Sequence, residues 1–202
     1  MSRRQGQRFD AERGVTTEAL IFLGDLDPEA VGPSIEFATH YEPTPVDEFA
    51  RLIAHSTLAP EGATFIDIGS GMGRVALLAM RTPFKQIVGV EISPALHEVA
   101  LENLATYRTN ARACRDVRFV RADAATFAPP NGHLVVYLYN PFQAPILAAV
   151  LERLLAEPRE IVLLYHTPLE RATIEATGAF DLVADLFFGV VFARKAGVRA
   201  TP

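Results

Sequence analysis

The chain has 202 residues, half of them apolar and 21% charged, and 19 basic against 24 acidic residues leave a net charge of −5. That length suits one domain burying roughly 70% of its unfolded surface, and the composition excludes wholesale disorder, a collagen-like fibre or a coiled coil. A single cysteine, Cys114, excludes a disulfide framework or a cysteine-rich zinc site and points to a reducing cytoplasm.

In chain order, the first dozen residues are expected to lack fixed structure. Ser2-Arg3-Arg4 is not followed by the apolar run that export requires. From Gly14 to Ala50 there are eight acids (Glu18, Asp25, Asp27, Glu29, Glu36, Glu42, Asp47 and Glu48) and no Lys or Arg. Thr44-Pro45 then opens a helix with Val46, Phe49, Leu52 and Ile53 on one face. Residues 1–40 read as an N-terminal extension, partly disordered or closing as a lid. Residues 41–195 read as the main domain, and 196–202 as a basic tail.

From residue 63 short apolar runs alternate with helical patterns, the signature of a parallel α/β sheet. The runs are Ala63–Ile68, Gln86–Val90, Val117–Val120, Leu134–Tyr139 and Ile161–Tyr165. Helices fall between them: one follows Arg74, one is capped by Ser93 and runs to about Arg108, and one carries Leu147, Val150, Leu151, Leu154 and Leu155. Leu182–Asp185 and Val190–Ala193 are too close for a parallel crossover and must pair antiparallel. The segment Ala124–Leu151 has no charged residue, but Pro129, Pro130, Pro141 and Pro145 exclude a membrane helix.

The chemistry gathers where strands end. Phe65-Ile66-Asp67-Ile68 leads into Gly69-Ser70-Gly71-Met72-Gly73-Arg74, a strand–glycine loop–helix junction that lets a ligand approach the backbone. It is not the dinucleotide fingerprint Gly-x-Gly-x-x-Gly, because Arg74 stands at the third glycine position. Glu91 ends the next strand, placed to accept from both hydroxyls of a ribose. Asp123, with Ala124, follows the third strand, where a carboxylate could accept from an adenine amine. Asn140-Pro141-Phe142 closes the fourth. The five arginines from Arg108 to Arg121 are expected at the opposite end of the sheet, with no part in catalysis. His40, His55, His97, His133 and His166 have no metal-ligand spacing.

Together these residues resemble the class I S-adenosylmethionine-dependent methyltransferases over about Tyr41 to Ala193. The resemblance implies a Rossmann-like α/β fold: an open, mostly parallel seven-stranded sheet in the order 3-2-1-4-5-7-6, helices on both faces, and an antiparallel C-terminal pair. It implies that Asp67, Gly69, Ser70, Gly71 and Gly73 hold the methionine part of S-adenosylmethionine, or of its product S-adenosylhomocysteine. Glu91 would hold the ribose, with Ile92, Asp123 and Ala124 at the adenine. Asn140-Pro141-Phe142 resembles the Asp/Asn-Pro-Pro-Tyr/Phe loop of nitrogen methyltransferases, with one proline in place of two. Tyr41-Glu42-Pro43-Thr44-Pro45 resembles a segment of lysine-directed non-SET enzymes, which implies that Tyr41 lies across the cofactor mouth. The expected activity is therefore methyl transfer to a nitrogen of a protein lysine or small-molecule amine, needing no metal. Nucleic acid is disfavoured by the acidic balance. A nucleic-acid base methyltransferase and a non-catalytic cofactor-binding module are the alternatives.

Overall fold

A computed structural model describes residues 2–22 and 39–195. Asp25, Asp27, Glu29, Glu36 and the tail beyond Lys195 lie outside the described residues. The strands are β1 (Ala63–Ile68), β2 (Gln86–Glu91), β3 (Val117–Arg121), β4 (His133–Tyr139), β5 (Ile161–His166), β6 (Phe180–Leu186) and β7 (Gly189–Arg194). They form one sheet in the order β3-β2-β1-β4-β5-β7-β6, parallel from β3 to β5 and antiparallel from there on. This is the order the resemblance implies, and it places β1 and β4 side by side at the switch point, where open α/β sheets bind ligands.

The helices are α1 (Ser2–Arg13), α2 (Val46–Ile53), α3 (Arg74–Ala79), α4 (Pro94–Thr106), α5 (Ala144–Leu155) and α6 (Arg171–Ala176). Because side chains alternate along β1, Phe65 joins Phe49, Leu52, Leu77 and Tyr137 in one core layer. Ile66 and Ile68 join Val136, Leu147 and Leu151 in the other. Fully burying Phe49 and Leu52 contributes about 1.5–3 kcal/mol each and fixes α2 over the sheet. Ser93 caps α4 as expected, its Oγ accepting from the Leu96 amide at 3.4 Å.

Two expectations need correction. The first dozen residues are not unstructured. They form α1, whose Phe9 is buried at 8% exposure and packs 6.2 Å from the Tyr107 ring. The helix is predominantly polar, so no apolar stripe announces it, and it is held by contacts distant in sequence. The arginines from Arg108 to Arg121 are also not all at the far end of the sheet. Arg121 is the β3 partner of Glu91, at the carboxyl edge.

Candidate active site

The glycine loop connects β1 to α3. Asp67 is buried at 4% exposure near the end of β1, and the amides of Gly69 and Ser70 both donate to the Val90 carbonyl at 2.9 Å. Gly71 has φ +52°, and a Cβ there would collide with the Tyr41 ring. Only glycine takes that conformation and that contact without strain. Tyr41 therefore lies against the loop, and its hydroxyl donates to the Thr17 carbonyl at 2.8 Å. Antiparallel bonds between Ile21 and Tyr41 brace the same segment.

Glu91 is 7% exposed. It accepts from the Gly71 amide and the Ser93 amide, both at 2.8 Å, which ties the ends of β1 and β2 together. A carboxylate has about four acceptor positions, so two remain for the hydroxyl pair of a ribose. Ile92 is half-buried beside it. Asp123 accepts from the Ala125 amide at 2.9 Å, which shapes the turn after β3 and leaves Asp123 and Ala124 partly exposed.

At the end of β4, Asn140 has φ +36°, and just past β5 Thr167 has φ +48°. Two non-glycine residues in left-handed backbone on neighbouring strands mark a place where strain is held by its surroundings. The Asn140 Oδ1 accepts from the Tyr165 hydroxyl at 3.2 Å, and its carbonyl accepts from Thr39 Oγ1 at 2.6 Å. Pro141 packs over Gly69, and its carbonyl accepts from the Thr39 amide at 3.0 Å. Phe142 stands apart from this group, 6% exposed in the core layer with Leu147 and Val136.

Two groups fall outside the site residues named from the sequence. Tyr139 shares a cavity with Glu42, Tyr41, Asp67, Gly69 and Ser70. Its ring lies 4.2 Å from that of His166, whose Nε2 is 2.6 Å from Glu48 Oε2. Burial, with Glu42 and Glu48 adding to it, holds the Tyr139 phenol well above its usual range. Burial also pushes the His166 imidazole below its usual range, against the opposing pull of Glu48. The second group is Arg74, 3% exposed, which donates to Thr17 Oγ1 at 2.7 Å and pairs with Glu18 at 2.8 Å and Asp10 at 3.3 Å. It anchors the N-terminal segment beside the glycine loop. Gly6 permits the approach, since a Cβ there would collide with the Glu18 carboxylate. Nothing in local spacing signals this cluster, because its members lie up to 64 residues apart.

The donor set fits S-adenosylmethionine. Two carboxylates stand at adjacent strand ends, a glycine cradle lies between them, and the buried Ser70 Oγ has no hydrogen-bond partner. The cavity as folded measures about 40 Å³, room for a few waters at roughly 10–15 Å³ each. Burial pushes the Asp67 carboxyl up to about 8, and the Glu91 charge adds to the rise against a bond from the Ala76 amide. With the folded value above the unfolded one, this group's stabilising contribution is complete below about pH 4. It falls as pH climbs and is gone above about pH 8. A cationic ligand beside Asp67 favours the carboxylate. Binding of S-adenosylmethionine at pH 7 is therefore expected to release close to one proton, with affinity rising up to about pH 8. Calorimetry in buffers of different ionisation heat measures this, and zero release at pH 7 would mean that Asp67 does not change its protonation state on binding.

A family model described as a methyltransferase domain matches residues 65–162. No curated protein matches the sequence. Among solved structures, a Pyrococcus horikoshii protein proposed as an RNA methyltransferase is 16% identical, with a TM-score of 0.57 over 88% of this chain and 94% of that one. The magnesium protoporphyrin IX methyltransferase of Synechocystis PCC 6803, solved with bound S-adenosylmethionine, is 18% identical, with a TM-score of 0.51 over 74% and 78%. The ribosomal protein L11 methylase of Lactobacillus delbrueckii subsp. bulgaricus is 20% identical, with a TM-score of 0.52 over 73% and 77%. Among the described residues no helix is long and apolar enough to cross a membrane. The domain match falls on the strands and loops that carry Asp67, Glu91 and Asn140: over residues 65–162 the chain carries a methyltransferase domain, on the fold of enzymes that use S-adenosylmethionine as methyl donor.

Proposed function

We propose that the acceptor is an amine nitrogen, of a protein lysine or a small molecule, presented beside Tyr139 and Glu42. The observation that carries this reading is that an acid and an aromatic ring line the same cavity as Asp67, Gly69 and Ser70. An aromatic face and a carboxylate together attract an ammonium group. When bound, S-adenosylmethionine supplies a sulfonium carbon open to in-line displacement.

The rest falls to the chain. An ammonium group has no lone pair, so the acceptor must first lose a proton, and desolvation in the crevice favours the neutral amine. Glu42, reaching the cavity from the Tyr41–Pro45 segment, is placed to take that proton. Tyr139 stays a neutral phenol because burial and the neighbouring acids oppose its ionisation, so its role is to orient. Asn140 and Pro141 set the floor of the crevice, and their carbonyl oxygens each retain a lone pair for an N–H donor. Tyr41 closes the mouth against water. Orientation of this kind can remove about 7–11 kcal/mol of barrier, so no catalytic triad is needed.

The test is transfer of labelled methyl to a panel of lysine peptides, small amines and RNA. Label is expected on amine nitrogen, and Glu42→Gln is expected to slow transfer by ~10²-fold as the proton acceptor is lost. Label confined to oxygen or carbon acceptors would exclude the reading. A nucleobase amine is the second reading, favoured by the arginine-rich face described next.

A further inference from the structure

On the face covered by α1, a second cavity of about 240 Å³ is lined by Gln5, Arg8, Arg13, Arg81 and Tyr107 among its residues. Among the described residues its only acid is Glu12, and that carboxylate is taken up by Arg8 at 2.7 Å. The fold brings cations here from three segments: α1, the end of α3, and the loop after α4, which adds Arg108 and Arg112. Arg13, Arg81, Arg108 and Arg112 form no ion pair with any acid among the described residues. Arg13 donates to the Arg108 carbonyl and Arg108 to the Ala11 carbonyl, both at 3.3 Å, which locks the segments together and leaves most of both guanidinium forks unused. The charges of Arg13, Arg81 and Arg112 all act on the Tyr107 hydroxyl, so they surround one small volume.

Unpaired like charges repel one another, and in a chain of net charge −5 their gathering is not an effect of composition. Arginine forks match phosphate oxygens two at a time, and Gln5 adds a neutral donor. We propose that this cavity and the arginines flanking it bind the phosphate groups of a nucleic-acid strand. A strand fits better than a single phosphate because Arg108 and Arg112 continue the positive surface outside the cavity. Arg74, beside the glycine loop, pairs with Asp10 of α1, and Arg108 donates to the Ala11 carbonyl of the same helix, so α1 stands between the arginine cluster and the crevice. The acids near the crevice, Glu42 and Glu48, keep the strand's backbone out of the catalytic end.

The proposal goes beyond the amine reading, and its failure would leave the crevice chemistry as it stands. The test is fluorescence anisotropy of the full chain with a labelled RNA of about 20 nucleotides, titrated from about 50 to 300 mM salt with inorganic phosphate as competitor. Arg81→Gln/Arg112→Gln is the variant, because both side chains are exposed and neither makes a hydrogen bond or ion pair with another described residue. Binding is expected to weaken with salt, to fall about tenfold in the variant, and to lose about 1.4 from its salt slope as two phosphate contacts go. S-adenosylhomocysteine binding should be unchanged, which shows that the variant is folded. No binding at low salt, equal binding by the variant, or a site filled by inorganic phosphate as well as by RNA would each overturn the proposal.

Discussion

Glu91→Gln is expected to weaken S-adenosylhomocysteine binding by about 10- to 150-fold, the loss of 1.5–3 kcal/mol from charged hydrogen bonds to the ligand. The carboxylate holds two backbone amides at 2.8 Å, and an amide in its place turns an N–H group toward one of them. The fold should therefore also lose about 1–3 kcal/mol, because a buried donor is left without an acceptor. Denaturant unfolding measures the second effect and calorimetry of the folded variant measures the first. Unchanged affinity in a folded Glu91→Gln protein would remove Glu91 from the ligand site and leave it as a strut between β1 and β2.

Arg74→Met should lower stability by about 3 kcal/mol, since it strands two largely buried carboxylates facing each other across the vacated position. Removing both acids as well, in Asp10→Asn/Glu18→Gln/Arg74→Met, should recover part of that loss, because the greater cost lies in uncompensated charge rather than in the lost attraction. The effect should reach the ligand site too. Thr17 accepts from Arg74 through its hydroxyl and from Tyr41 through its carbonyl, so loosening the N-terminal segment frees the Tyr41 ring from Gly71. Faster association and dissociation of S-adenosylhomocysteine in stopped flow is the expected signature. A loss below about 1 kcal/mol, within the range of an exposed pair, would mean that water reaches the cluster and that α1 docks by its apolar contacts alone.

The two variants differ in how far their sites could be seen in advance. Asp67, the glycine loop and Glu91 lie at the ends of buried apolar strands, and such strands announce themselves because both faces are covered and polar alternation is absent. The antiparallel pair β6–β7 follows from the short connection between its strands, whereas the strand order came from the resemblance of the strand-end motifs to a known family. A local pattern of period and spacing was enough for all but that order.

The rest depends on charges and rings meeting across long stretches of chain. α1 has little apolar periodicity and reads as a tail; it is a helix here because Arg74 pairs with Asp10 and Phe9 packs on Tyr107. The arginines after α4 read as solvated surface until α1 lays Arg8 and Arg13 beside them. Phe142, two residues after Asn140, reads as a crevice residue, yet it packs into the core layer with Leu147 and Val136. Tyr139 and Glu48 were ordinary members of a strand and a helix start, and become a site only through His166. The sequence by itself determined the sheet, its switch point and the carboxylates at its edge, because each is written in contiguous residues. Tertiary structure alone decided what closes the crevice and where cations collect, because both arise from side chains that only folding brings within a few ångströms.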